Sequence, residues 1–223
     1  MDWRECCSLN SCIGHTHCIL AILITAYNEP AMSTPPVLHL ASTSPRRREI
    51  LAALNLDFTV VHVEVDETPL DGEVPDEMVL RLAVAKAEAA AIGPEHVSLG
   101  ADTAVVIDGR ILGKPADEAD CLAMLAALSG RGHKVVTGVA LGGAGGTRTA
   151  LSETDVYFRE ISRDEALAYW QSGEPCDKAG AYAIQGLGGA FVERIEGSYS
   201  GVVGLPVFET LALLNAAGLG LMT

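Results

Sequence analysis

The run Gly142-Gly143-Ala144-Gly145-Gly146 separates two strand-like stretches, Lys134 to Leu141 and Leu151 to Arg159, and reads as the turn of a β-hairpin. That antiparallel pair sits in a chain that otherwise alternates short apolar runs with segments of helical spacing. Val37 to Ala41 reads as a short buried strand, and Pro45 suits the first turn of a helix reaching about Leu54, with Ile50, Leu51 and Leu54 on one face. Phe58 to Val63 alternates and is β-branched, as a strand should be. Pro75 to Ile92 is Ala-rich, with Val79, Leu82 and Ala83 at helical spacing, and Leu99 to Ile107 holds two apolar runs broken by Asp102 and Thr103. Asp117 can cap a helix that Ser129-Gly130 ends after Leu128, and Ser162 with Glu165 forms a capping box opening a helix to about Gln171. An irregular segment, Gly173 to Gly189, precedes a strand at Ala190 to Ile195, and a last helix follows Pro206. The expectation is an α/β fold whose sheet mixes parallel and antiparallel pairs, with flanking helices.

Charge narrows the partners. The net charge is −14, so the surface repels duplex nucleic acid and anionic membrane, whose binding rests on Lys and Arg. Aromatic residues are 5% of the chain, too few for extended base-stacking platforms. A small polyanion remains possible where basic residues concentrate, and Arg46, Arg47 and Arg48 are consecutive in a chain holding 15 Lys+Arg. Cys6, Cys7, Cys12 and Cys18 crowd the first stretch, leaving Cys121 and Cys176 in the rest, and no spacing matches a zinc pattern. A reduced, cytoplasmic protein is the expectation. The apolar run Cys18 to Ala26 is too short to span a bilayer. Because Met32 lies just before the first strand, residues 1–31 are expected to be a dispensable, disordered extension of a domain covering 32–223.

Several features imitate known sites. Gly109-x-x-x-Gly113-Lys114-Pro115 is one residue short of a phosphate-binding P-loop and has Pro where Ser or Thr must hold magnesium. Neither the 142–146 glycines nor Gly186-Leu187-Gly188-Gly189 completes a dinucleotide fingerprint. The six histidines show no pairing at ligand spacing and read as surface or packing residues, and Cys176 has no evident base.

Three constellations carry chemistry. In Ser42-Thr43-Ser44-Pro45-Arg46-Arg47 a strand gives way to hydroxyl residues and then to a helix with arginines in its first turn. Unpaired first-turn amides, hydroxyls and guanidinium groups together suit phosphate oxygens, and Arg there opposes the helix dipole, which points to an anion site. In Gly100-Ala101-Asp102-Thr103 a lone Asp sits inside an apolar strand pair, which is costly unless it is paired or bound to metal. With Glu67 in the acidic loop Val65-Asp66-Glu67, it could supply hard oxygens to magnesium or manganese. The isolated Lys86, Lys114 and Lys178 could neutralise a leaving diphosphate, although any one lysine alone is expected to reach for solvent.

The ordered set Ser42–Arg47, Gly100–Thr103, Gly113-Lys114-Pro115, Leu128-Ser129-Gly130, His133 with Thr137-Gly138, Glu174-Pro175, Asp177–Tyr182, Ile184-Gln185-Gly186 and Gly197-Ser198-Tyr199 through Val203-Gly204-Leu205-Pro206 resembles the Maf family of house-cleaning nucleoside triphosphate pyrophosphatases. The resemblance covers about Val37 to Leu214. It implies a mixed, twisted sheet with a central cleft, a homodimer, and hydrolysis of a nucleoside triphosphate to monophosphate and diphosphate with a divalent metal. By that likeness Asp102 is the proton acceptor, and Ser42, Arg46 and Arg47 bind phosphate. Glu67 partners Asp102 at the metal, and Lys86 and Lys114 also contact substrate. Arg46, Thr103 and Gln185 match the positions that track preference for dTTP and UTP. The rival expectations are action on 7-methyl-GTP or on modified pyrimidine nucleotides, and a non-catalytic role in septum formation or cell division.

Overall fold

The computed structural model describes residues 36–93 and 95–220. The expectation of a disordered extension at residues 1–31 lies outside the described residues. One sheet organises the chain. Strand β1 (Val37–Leu40) lies parallel to both β2 (Phe58–Val60) and β3 (His96–Ile107). On its far side β3 pairs antiparallel with β5 (Gly132–Gly142), and β5 with β6 (Arg148–Phe158) across the glycine-rich turn. Strand β7 (Val192–Glu196) closes the order β2-β1-β3-β5-β6-β7. Strand β4 (Arg110–Leu112) folds back on the end of β3. The sheet is mixed, as the hairpin signal implied.

Side-chain alternation sends β3 to two layers at once. Val97, Leu99 and Ala101 face α1 (Pro45–Ala53) and α6 (Val207–Ala216), burying Leu51, Leu213 and Leu214 in one cluster with Leu38, Leu40, Val139 and Leu141. Further along the same face, Val105 and Ile107 meet α3 (Glu118–Leu128) and α4 (Arg163–Gln171) through Cys121, Leu125, Leu128, Ala166 and Tyr169. On the opposite face α2 (Pro75–Ala89) lies across β3 and β5, with Val79 and Leu82 against Ala104 and Val136. Its backbone comes unusually close. A Cβ at Gly100 would sit 2.1 Å from the Ala83 carbonyl oxygen, and one at Gly138 2.7 Å from Val79 backbone atoms.

The helices start where capping chemistry places them. Asp117 accepts the Asp120 amide at α3, and Ser162 and Glu165 complete their capping box at α4. Several boundaries differ from expectation. Strand β3 runs unbroken through Asp102 and Thr103 for twelve residues, because both side chains find partners and the strand has no need to break. The β2 edge stops at Val60 and α2 at Ala89. The Gly109 segment is a hairpin turn into β4, and the irregular 173–189 region winds into short 3-10 turns that delay β7 to Val192. A five-residue helix, α5 (Tyr199–Val203), was not foreseen. Among the described residues no helix is long and apolar enough to cross a membrane.

The α2 contact yields a stability prediction. Gly138→Ala forces a methyl into the Val79 backbone and should cost about 2–3 kcal/mol, lowering Tm by roughly 5–10 °C in thermal denaturation. A Tm within about 2 °C of the parent would show that α2 can yield.

Candidate active site

Register decides where the cleft opens. Strand β1 reaches only as far as the Leu40–Leu99 pair, with Ala41 N–H donating to the Leu99 carbonyl at 2.9 Å, and β4 begins pairing at Val105. Among the described residues no strand covers that edge of β3 from Gly100 to Ala104. The gap lies beyond the carboxyl end of β1, the usual place for a ligand in an open α/β sheet. Alternation at an uncovered edge sends Asp102 toward the α2 side and Thr103 toward the α1 side. A cleft of about 620 Å³ fills the gap, and Ser42, Arg46, Arg47, Glu67, Lys86, Asp102, Thr103, Lys114 and Gln185 all line it.

On the α2 side, Lys86 is 8% exposed and does not reach for solvent as a lone lysine was expected to. Its Nζ lies 2.7 Å from Asp102 Oδ1 and 2.6 Å from Glu67 Oε1. Lys86 lies on the buried face of α2, and the two carboxylates supply the countercharge. The Lys86 contact holds the Glu67 carboxyl below its ordinary range against the opposing effect of burial, with the charges of Lys86, Lys114 and Arg47 adding to it. The other oxygens of Glu67 and Asp102 accept no hydrogen bond among the described residues. Those hard oxygens are the candidate metal donors; among the described residues no cluster of three or more His, Cys, Asp or Glu side chains is placed to hold a metal alone.

Glu67 is held over the cleft by its own loop. Arg81, on α2, donates from Nε and Nη2 to the two Glu73 oxygens at 2.6 and 2.7 Å and from Nη2 to the Thr68 carbonyl at 3.2 Å. Glu73 also accepts the Leu70 amide, and Asp66 accepts that of Thr68.

On the α1 side, no side chain caps the first turn of α1, where Arg46 and Arg47 sit. Arg47 donates from Nε to the Gly204 carbonyl at 2.7 Å, from Nη1 to Ser42 Oγ at 3.2 Å and from Nη2 to Thr103 Oγ1 at 3.4 Å. Burial lowers the Arg47 pKa, Asp102 and Glu67 oppose that, and Arg46 adds to it. The Thr103 and Thr137 hydroxyls are 3.0 Å apart, and Thr137 donates onward to the Gly201 carbonyl at 2.8 Å. This chain joins α1, β3, β5 and α5 into one wall.

Thr137 and Gly204 stand within the motifs quoted above, yet nothing local in the sequence assigns either a role. Their part depends on contacts 34 to 157 residues apart. Lys178 also lines the cleft, paired with Asp177, whose carboxyl that contact holds low with help from Arg46. His39 and His96, expected to be surface or packing residues, share a hydrogen bond of 2.7 Å, and neither lines the cleft. Cys121 is buried and Cys176 exposed.

Residues 37–217 match the family described as Maf-like protein. The chain is 54% identical over 184 residues to the dTTP/UTP pyrophosphatase of Saccharophagus degradans, an alignment covering 80% of this chain and 88% of that protein. It is 51% identical to the dTTP/UTP pyrophosphatase of Hahella chejuensis, over 82% of this chain and 92% of the relative. The Staphylococcus aureus Ham1 protein structure covers 56% of this chain and 72% of its own at 20% identity, with a TM-score of 0.39, too low to carry an argument.

The loop clamp has a definite pH signature. Arg81 holds the Glu73 carboxyl at about 2, below its ordinary 4.5, so the clamp's contribution is complete above pH 4.5 and lost as pH falls through about 2. Arg81→Ala should remove it at neutral pH, raising hydrogen exchange of the Thr68 and Leu70 amides severalfold while exchange in β3 is unchanged. Unchanged exchange in the loop would contradict the clamp.

Proposed function

The chain belongs to the Maf-like family, and from that premise we propose that it is a pyrophosphatase cleaving dTTP and UTP to the nucleoside monophosphate and diphosphate. One observation carries the reading. Arg46, Arg47, Lys86 and Lys114 line the same cleft as the carboxylates of Glu67 and Asp102 and the carboxamide of Gln185. A chain of net charge −14 has gathered its cations where a small polyanion would need them.

The first turn of α1 and the Ser42 hydroxyl bind phosphate oxygens, and Arg47 is pre-positioned by Ser42, Thr103 and Gly204 so that little ordering is left to do. Glu67 and Asp102 would hold a magnesium or manganese ion through their hard carboxylate oxygens. When bound, that ion supplies Lewis-acid polarisation of the phosphate. Asp102 lines the cleft with one carboxylate oxygen bound to Lys86, and it orients and deprotonates the attacking water. Lys86, Lys114 and the arginines stabilise charge building on the departing diphosphate. Gln185 offers one acceptor and two amide donors to the carbonyl and N–H edge of uracil or thymine, and purines are rejected by the size of the pocket and by polar groups left unmatched there.

A panel of nucleoside triphosphates assayed for released diphosphate, with and without magnesium, tests the reading. dTTP and UTP should exceed purine nucleotides at least about tenfold in kcat/KM, and chelation should stop the reaction. A purine preference would contradict it. Asp102→Asn should lower kcat by about 10²–10⁴ while leaving nucleotide binding measurable by calorimetry. An unchanged kcat removes Asp102 from the mechanism.

A further inference from the structure

Gln185 makes no side-chain hydrogen bond among the described residues, so the aim of its carboxamide is set by the backbone of its loop. One carboxylate pins that loop just after Gln185 and, through a tyrosine, just before it. Glu174 Oε2 accepts the Leu187 amide at 2.9 Å, and Oε1 accepts the Gly188 amide at 3.0 Å. Oε1 also accepts the Tyr169 hydroxyl at 2.7 Å, and the same hydroxyl accepts the Ala183 amide at 3.1 Å. The loop enters at Ala183 and leaves at Leu187-Gly188, so the Glu174–Tyr169 pair grips both stems. Space is tight around it: a Cβ at Gly186 would lie 2.3 Å from Glu174 Oε2, and one at Gly188 2.6 Å from the Tyr169 hydroxyl.

The charge state supports the grip. Burial alone would raise the Glu174 carboxyl, but the Gly188 and Leu187 amides and the Tyr169 hydroxyl outweigh it and hold the pKa below its ordinary value. Burial and the Glu174 contact push the Tyr169 pKa up, which keeps that hydroxyl a donor. Glu174 is not among the residues lining the cleft, so its influence on a ligand passes through the loop.

We propose that Glu174 is a positioning residue for base selection: without touching the nucleotide, its carboxylate fixes the loop that presents Gln185. The proposal rests on the reading of Gln185 as the base contact. A carboxamide at 174 keeps the shape of the side chain but must turn an NH2 group toward a backbone N–H, losing at least one of the contacts that hold the loop. Tyr169→Phe removes the link to Ala183 and leaves the carboxylate in place.

The test compares kcat/KM for dTTP and GTP in the parent, Glu174→Gln, Tyr169→Phe and Gln185→Ala. Glu174→Gln should reduce the dTTP-over-GTP ratio about tenfold, through KM for dTTP, with kcat changed less than about threefold. Tyr169→Phe should move the ratio in the same direction by less, and it carries the test alone if Glu174→Gln does not fold. Equal losses on both nucleotides, or an unchanged ratio while Gln185→Ala collapses it, overturns the role of Glu174. An unchanged ratio in Gln185→Ala overturns the base-contact reading itself, and the proposal with it.

Discussion

The ammonium of Lys86, between Asp102 and Glu67, lets an aspartate stand inside an apolar sheet. A carboxylate in that position without a partner would be strongly disfavoured, and a buried pair broken from one side is among the more destabilising changes a core can suffer. Lys86 comes from α2, and α2 can approach only because Gly100 and Gly138 have no side chain to hold it off. Packing and chemistry are therefore one problem here: the two glycines admit the helix, the helix delivers the lysine, and the lysine stabilises the acid.

A second constraint concerns the edge of β3. By stopping β1 at Leu40 and starting β4 opposite Val105, the fold leaves Gly100–Ala104 uncovered on one side of the sheet. Adjacent residues of one strand then serve opposite walls of a cleft. Asp102 joins the carboxylate and lysine cluster under α2, while Thr103 joins the Arg47 network that ties α1 to α5. The separation keeps an acidic wall and a cationic wall apart with rigid elements on both sides. Such a cleft suits a ligand with a polyanionic end and a separate polar edge to be recognised.

Much of this was legible in the sequence. The glycine run announced the hairpin, the capping box placed α4, and Asp102, Glu67 and the Arg46–Arg47 pair stood out as charge in unusual settings. What stayed hidden was what only long-range contact decides. Asp102-Thr103 looked like a break in a strand because their partners lie 16 and 34 residues away. Lys86 looked like a solvent-seeking lysine because nothing local shows that its helix is buried against backbone. The helix α5 is five residues long and held by Ser198 accepting the Gly201 amide, too short for a periodic signal. Glu174 read only as part of a motif, since its three side-chain hydrogen bonds reach from five to fourteen residues along the chain.

The central claim is that cations restrain the terminal phosphates while Asp102 directs water at the α-phosphorus. Hydrolysis of dTTP in ¹⁸O-labelled water, with both products analysed by mass spectrometry, examines it directly. The account predicts label in the nucleoside monophosphate and none in the diphosphate. Label appearing in the diphosphate would place attack at the β-phosphorus and contradict the assignment of the two walls.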